Sequence, residues 1–324
     1  GPIVSIQEGI IDMSGPATEY NPYGFTNNVC IIVTPADGLE KKDYESALRE
    51  AGLLAAWHIA DKCRDAAIDN KLVYEMPDSI AERNSECAGL PTFVYVCQAI
   101  SQGLLHDTFL YGVDVKQILP TFVQPQEFMD GAVVSANCVS ACDKQNTYHH
   151  QNNPVIEELC RRHGKDVNFL GVIVTTELMT LSGKIRSSEY TVKLAKMLGA
   201  DVAIITEEGC GNPDTDICLN AKNLELAGIK TVVIGNEVAG QNGASQGLAD
   251  VVPEMNAYVS CGNINELITL PPMDRVIGNL KAITNVSGGD ENSIGSDGSI
   301  TCEIQSIIGS TNELGCSKIG CEWI

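Results

Sequence analysis

Apolar positions in the second half of the chain alternate between two spacings. Continuous apolar runs at residues 167–175, 201–206 and 230–235 are separated by stretches with a three-to-four residue apolar period at 186–198 and about 214–227, which end at Gly199 and Gly228. Runs of the first kind suit strands buried on both faces, and the second kind suits amphipathic helices. Strand and helix alternating at this spacing predict a parallel sheet with crossover helices. The expected fold class is therefore α/β, with the second half a doubly wound, mostly parallel sheet and the first half a mixed α/β region.

The first half is less regular. Ile3–Ile6, Ile10–Met13 and Val29–Val33 read as strands, the last as one buried on both faces. Leu39 to about Ala67 reads as a helix carrying Trp57 and His58, residues 76–91 as an exposed loop, and Thr92–Cys97 as a strand. Residues 117–128, with two prolines, read as irregular. Pro154 at a first turn and Gly164 past the end bracket a helix over Pro154–His163. Toward the end, short strands are expected at Tyr258–Cys261 and Leu267–Leu270, a loop from Gly288 to Gly298, and a final strand over Cys302–Ile308.

Composition narrows the function classes. A net charge of −21 disfavours nucleic-acid phosphate as partner, since binding it relies on clustered Lys and Arg. The hydrophobic fraction of 44% and mean hydropathy of +0.01 describe a globular chain. No apolar stretch is long enough for a membrane span, and no signal peptide is seen, so the expectation is a cytoplasmic protein. Thirteen scattered cysteines without a Cys-x-x-Cys pair fit reduced thiols better than a disulfide framework.

Candidate chemistry concentrates where the apolar run from Gly131 delivers Asn137 and Cys138 to a polar loop holding Asp143, Lys144, Asn146, Tyr148, His149 and His150. Cysteine is among the most buried residue types, so position alone does not make Cys138 reactive. Cys138, Cys142, His149 and His150 offer four ligand types, but at a spacing unlike usual zinc sites, and no metal is assigned. His106 and Asp107 form a second polar cluster that can supply a donor of tunable pKa; a purely structural histidine is the alternative.

Ligands of parallel sheets sit beyond the carboxyl ends of strands. Three loops qualify: Thr175–Glu177, Glu207–Asp216, and Asn236–Glu237 with Gly240–Gln246. None carries a dinucleotide or P-loop fingerprint. The acid-rich loop suits an amine instead, with Glu207, Glu208 or Asp216 as candidates to hold an ammonium; Asp214 is better placed as a helix N-cap.

Eight motifs, in order, resemble one family: QEGIIDM at 7–13, GLLHDT at 103–108, YGVD at 111–114, NCVSACDK at 137–144, GNPDTD at 211–216, GASQ at 243–246, LPPMD at 270–274 and TNELG at 311–315. They are similar to the proprotein subunit of component B of the glycine, sarcosine and betaine reductases, a family related to D-proline reductase. The resemblance implies cleavage between Asn137 and Cys138, with Cys138 becoming a covalent pyruvoyl group that forms a Schiff base with a small amino-acid substrate. It further implies a selenocysteine-containing larger subunit of component B and a component A selenoprotein as partners, and an oligomer. The fragments would be residues 1–137 and 138–324. A preceding stretch is expected too, because the chain opens on Gly1 and the family extends further.

The chemistry explains the cysteine, whose sulfur can attack the preceding carbonyl as serine oxygen does in other pyruvoyl proteins. Completion within minutes needs a barrier of roughly 21 kcal/mol, and near-attack geometry can contribute about 7–11 kcal/mol. A strained turn at Ala136–Cys138 and an oxyanion donor are the expected local design. Betaine, with a quaternary nitrogen, cannot form an imine. The alternatives are an unprocessed paralogue acting as a structural or binding subunit, and a D-proline reductase-like enzyme.

Overall fold

The structure is a computed structural model that describes residues 12–20, 22–101, 108–135 and 145–308. In chain order, α1 spans Lys41–Lys62, α2 Ile80–Glu86 and β1 Thr92–Ala99. Short strands β2 (Thr108–Leu110), β3 (Val113–Asp114) and β4 (Thr121–Val123) follow, then one-turn α3 (Pro125–Glu127) and β5 (Val133–Ser135). Beyond them come α4 (Thr147–Gln151), α5 (Pro154–Arg162), β6 (Asn168–Thr176), α6 (Leu181–Leu198), β7 (Val202–Glu207), α7 (Asn212–Leu226) and β8 (Lys230–Glu237). The described chain closes with β9 (Tyr258–Asn263), β10 (Leu267–Leu270), β11 (Ile300–Glu303) and α8 (Gln305–Ile308).

The central sheet has the order β4-β6-β1-β7-β8-β9, parallel except for β4, which runs antiparallel to β6. It draws β1 and β4 from before residue 137 and β6 to β9 from after it. Alternation sorts side chains to two cores. Tyr95, Cys97 and Ala99 of β1 pack with Val155, Ile156 and Leu159 of α5 and with Phe128 and Val133. Val94 and Val96 pack with Ala195 of α6 and Ile217, Ala221 and Leu224 of α7. With helices against both faces, β6 is buried at every position, which is why its sequence is a continuous apolar run.

A bulge interrupts β6. Phe169 pairs with Phe93 but Gly171 pairs with Val94, leaving Leu170 extra. Gly171 has φ 143°, and a Cβ there would lie 2.5 Å from the Phe122 ring, so only glycine fits. Arg83, fully buried, meets the bulge: its Nη1 donates to the Leu170 carbonyl at 2.5 Å, its Nε to the Pro77 carbonyl at 2.5 Å, and its Nη2 to Gln124 Oε1. Residues 76–91 are thus not simply an exposed loop; they contain α2 and a buried arginine.

Other departures have physical reasons. Val29–Val33 pairs with no strand among the described residues, and Val29, Ile31 and Ile32 are exposed, because an apolar run signals a strand but does not supply its neighbour. α1 forms as expected, yet Leu53, Leu54 and Trp57 are exposed. Within 117–128, Thr121–Val123 finds β6 and becomes an edge strand. The expected final strand is short: it starts at Ile300, pairs with β10, and turns into α8 after Glu303. Among the described residues, no helix is long and apolar enough to cross a membrane.

Candidate active site at the carboxyl edge of the sheet

The parallel arrangement brings the ends of β1, β6, β7 and β8 to one edge. Buried polar groups gather there: Gln98 and Ser101 after β1, Thr176 and Glu177 after β6, Glu207 and Glu208 after β7, and Asn236 in β8. They tie the strand ends together. Glu208 N donates to the Gln98 carbonyl at 3.2 Å, and its Oε2 accepts from Ile100 N at 2.9 Å. Ser101 Oγ donates to the Glu177 carbonyl.

Pleating places Glu207 and Glu208 on opposite faces of the sheet. Glu207 lies on the α6 and α7 side, where Lys184 pairs with Asp216 and donates to the Asn212 carbonyl at 3.0 Å. Burial raises the Glu207 carboxyl well above its ordinary range; repulsion from Asp214 and Asp216 adds to this, and Lys184 offsets part. Burial likewise pushes Asp216 up to about 6, against the pull of Lys184. Neither oxygen of Glu207 has a hydrogen-bond partner among the described residues. Asp214 is not the N-cap of α7; that position is Gly211. Its carboxylate sits in the first turn and accepts from Gly211 N at 2.8 Å and Ala249 N at 2.5 Å.

A folded-state pKa raised above the unfolded one means that folding takes up a proton between the two values, so stability falls as pH rises through that window. Glu207→Gln removes this titration. Relative to the unmodified protein, its stability is expected to gain more at pH 8 than at pH 5, by at most about 1.4 kcal/mol per pH unit within the window, with a matching rise in thermal midpoint. Thermal unfolding monitored at both pH values checks this; an equal effect at both contradicts a neutral, buried Glu207.

On the other face, Glu208 meets α4 and β5. His150 of α4 is buried, with Nε2 2.8 Å from Ser135 Oγ and 3.5 Å from Glu208 Oε1. Burial, then the neighbouring His149, lowers the His150 pKa to about 3, so the imidazole is neutral and its approach to Glu208 is not an ion pair. Ser135 Oγ also lies 2.8 Å from Thr108 Oγ1. Ser135 N donates to Thr147 Oγ1 at 3.2 Å, and Thr147 Oγ1 returns a bond to the Ser135 carbonyl at 3.2 Å. The described residues stop at Ser135 and resume at buried Gln145.

Asn137, Cys138, His106 and Asp107, with the expected turn at Ala136–Cys138, lie outside the described residues. Of the described residues that flank them in sequence, Ser101 bonds the Glu177 carbonyl, Thr108 and Ser135 share a hydrogen bond, and Gln145 is buried. The acidic trio is divided: Glu207 and Asp216 share one face with Lys184, while Glu208 shares the other with His150 and Ser135. Sequence reasoning placed His150 in the candidate loop without a partner, and missed Ser135 and Lys184 as members of the site. Lys184 had a local signal, the Thr180 side chain that caps Gly183 N at 3.2 Å and starts α6 before it.

The family profile of glycine/sarcosine/betaine reductase component B subunits matches residues 1–322. The chain is 50% identical over 315 residues to the glycine reductase complex component B subunits alpha and beta of Peptoclostridium acidaminophilum, covering 97% of this chain and 73% of that protein. It is 49% identical over 319 residues to the sarcosine reductase complex component B subunit alpha of the same organism, covering 98% and 74%. A more distant likeness, 23% over 155 residues, reaches the D-proline reductase proprotein PrdA of Acetoanaerobium sticklandii, covering 44% and 24%. No solved structure matches the chain. The chain therefore belongs to the glycine/sarcosine/betaine reductase component B subunits, a family of oxidoreductase subunits.

Proposed function

We propose that the chain is the substrate-activating subunit of a selenium-dependent amino-acid reductase, cut between Asn137 and Cys138 so that Cys138 becomes a pyruvoyl group. The observation that carries this reading is the buried Ser135–His150–Glu208 arrangement, which sits at the ligand-binding edge of a parallel sheet two residues before Asn137.

The maturation needs no oxidant. Cys138 Sγ bonds to the Asn137 carbonyl carbon as the amide C–N bond breaks, giving a thioester and freeing the residue 138 nitrogen. Loss of the Cα proton then breaks Cβ–S, expelling an Asn137 thiocarboxylate and leaving dehydroalanine. Its imine tautomer takes up water and releases ammonia, and hydrolysis of the thiocarboxylate releases sulfide. Because the central sheet takes strands from both sides of the cut, the two polypeptides are expected to stay associated.

The polar residues of this edge fit a small ketone and an amine-bearing ligand. Glu208 is a carboxyl beside a neutral histidine, and His150 Nδ1 has no partner among the described residues. When present, the pyruvoyl carbonyl supplies an electrophile that lets a substrate nitrogen become a leaving group. Glu208 holds the amine of glycine or N-methylglycine near position 138, with His106 and Asp107 on the neighbouring segment as further polar groups. Glu207 and Asp216, on the opposite face, support the edge and shape its charge. The nucleophile at the substrate Cα comes from the selenocysteine-bearing larger subunit of component B, and the product passes to the component A selenoprotein.

Phenylhydrazine tests the reading. Protein isolated from its own host is expected to form a hydrazone at position 138, mapped by peptide mass spectrometry, and to lose reductase activity of the assembled complex. A peptide carrying unmodified Cys138 in active protein would overturn it.

A further inference from the structure

We propose that α1 is a self-association surface, on which the Leu53–Leu54–Trp57 face packs antiparallel against the same face of a second copy of this chain. Among the described side chains from Tyr23 to Glu82, none is buried. Large apolar residues are nonetheless concentrated there: thirteen of the exposed ones fall between Phe25 and Val73, against fourteen in all the rest of the described residues. Exposed apolar residues scattered singly are ordinary, but a dense run of them marks an interaction surface.

α1 has 22 residues and is therefore about 33 Å long. Leu53 and Trp57 are one turn apart and Leu54 stands beside them, so the three share one side of the helix. They are 46%, 66% and 68% exposed for Leu53, Trp57 and Leu54. Leu48, Ala51 and Ala55 lie on the opposite side and are partly covered, and Arg49 reaches over the Phe109 ring of β2 at 5.0 Å from its centroid. The helix is thus seated by one side and presents an apolar stripe on the other.

Charge and size select a second copy as the occupant. α1 carries four Lys or Arg and four Asp or Glu, so the net charge of −21 lies wholly outside it. Two copies repel across their other faces but meet at α1 without adding like charge. A partner recruited by charge would be basic and would go to the acidic faces instead. At roughly 60 Å² each, the thirteen side chains offer on the order of 800 Å² of apolar surface, and a stable interface takes about that much from each partner. An antiparallel, two-fold arrangement opposes the helix dipoles and sets Asp43 in the first turn of one copy toward Lys62 in the last turn of the other.

Size-exclusion chromatography of the full chain with light scattering tests the proposal. At about 50 μM, well above a micromolar Kd, the expected mass is twice the 34.7 kDa of one chain. Trp57→Glu and Leu54→Glu are each expected to weaken the pair by at least about 30-fold, the loss of one central anchor. Met197→Glu, at a position 74% exposed on α6, should leave it unchanged. A second readout uses the indole itself. The chain has two tryptophans, Trp57 and Trp323, so Trp323→Phe leaves Trp57 as the single reporter. Its emission should shift to longer wavelength on dilution, in step with the fall in mass, as the indole passes from apolar contact to water. A single-chain mass at the higher concentration would overturn the proposal. So would a pair that survives Trp57→Glu and Leu54→Glu, or one that Met197→Glu weakens equally. Short-wavelength Trp57 emission that does not change on dilution would show that a segment of the same chain covers α1, which also overturns it.

Discussion

Cys138→Ala is expected to give a single uncut polypeptide that folds normally. On the proposed mechanism the substitution removes the sulfur that attacks the Asn137 carbonyl, and alanine has no atom that can form the acyl bond, so the loss is complete rather than partial. Folding is spared because the elements on either side are tied by other groups: Ser135 by Thr147, Thr108 and His150, and β5 by its ladder to β2. Cys138→Ser keeps a nucleophile of higher pKa, and cutting is expected to persist but at least roughly tenfold slower, since far less of the group is ionised near neutral pH. Gel analysis for the cut and circular dichroism for the fold check both variants. A fully cut Cys138→Ala protein would remove the sulfur from the mechanism.

Arg83→Met is expected to be the most damaging single change away from that site. The guanidinium satisfies the Leu170 carbonyl that the β6 bulge takes out of the ladder, the Pro77 carbonyl and the Gln124 side chain. Methionine fills a similar volume but leaves three acceptors without their donor, each costing about 1–3 kcal/mol when buried. Relief of the arginine's own burial, which lowers its pKa, offsets part of that sum. A net loss of about 2–4 kcal/mol is expected, a fall in thermal midpoint of roughly 5–10 °C. Arg83→Lys should recover little, because an ammonium cannot reach three separated acceptors with the planar fork's geometry. A midpoint within about 2 °C of the unmodified protein for Arg83→Met would show that the bulge does not depend on Arg83.

How much of this was legible before folding depends on the range of the interaction concerned. β6, β7 and β8 were readable because a strand covered on both faces must be apolar throughout, and Gly199 at φ 77° and Gly228 at φ 86° mark the chain reversals after α6 and α7. α6 begins five residues earlier than its apolar period suggests, since Thr180-Leu181-Ser182-Gly183 has the composition of a loop. That error hid Lys184, which is buried against Asp216 rather than solvated. Arg83 was hidden for a different reason: its key acceptor lies 87 residues further along the chain. Glu207 and Glu208 look equivalent as neighbours in a sequence, and only the pleat assigns them to different faces. Ser135 ends an apolar run and His150 sits in a polar one; neither local pattern shows that the two meet. Val29–Val33 carries the same apolar signal as β6, but no ladder receives it among the described residues.

The resemblance carried what pattern alone could not, the bond proposed to be cut. Pattern supplied the complementary point: the motif follows a strand whose end is brought to the carboxyl edge of a parallel sheet. Together they make one physical claim, that two polypeptides share one sheet after a backbone bond has been lost. Native purification from the host followed by denaturing intact-mass measurement tests it most directly. The expected result is a co-purifying pair, one polypeptide ending at Asn137 and the other beginning with a pyruvoyl group at position 138; a single polypeptide retaining the thiol of Cys138 in active protein would contradict it.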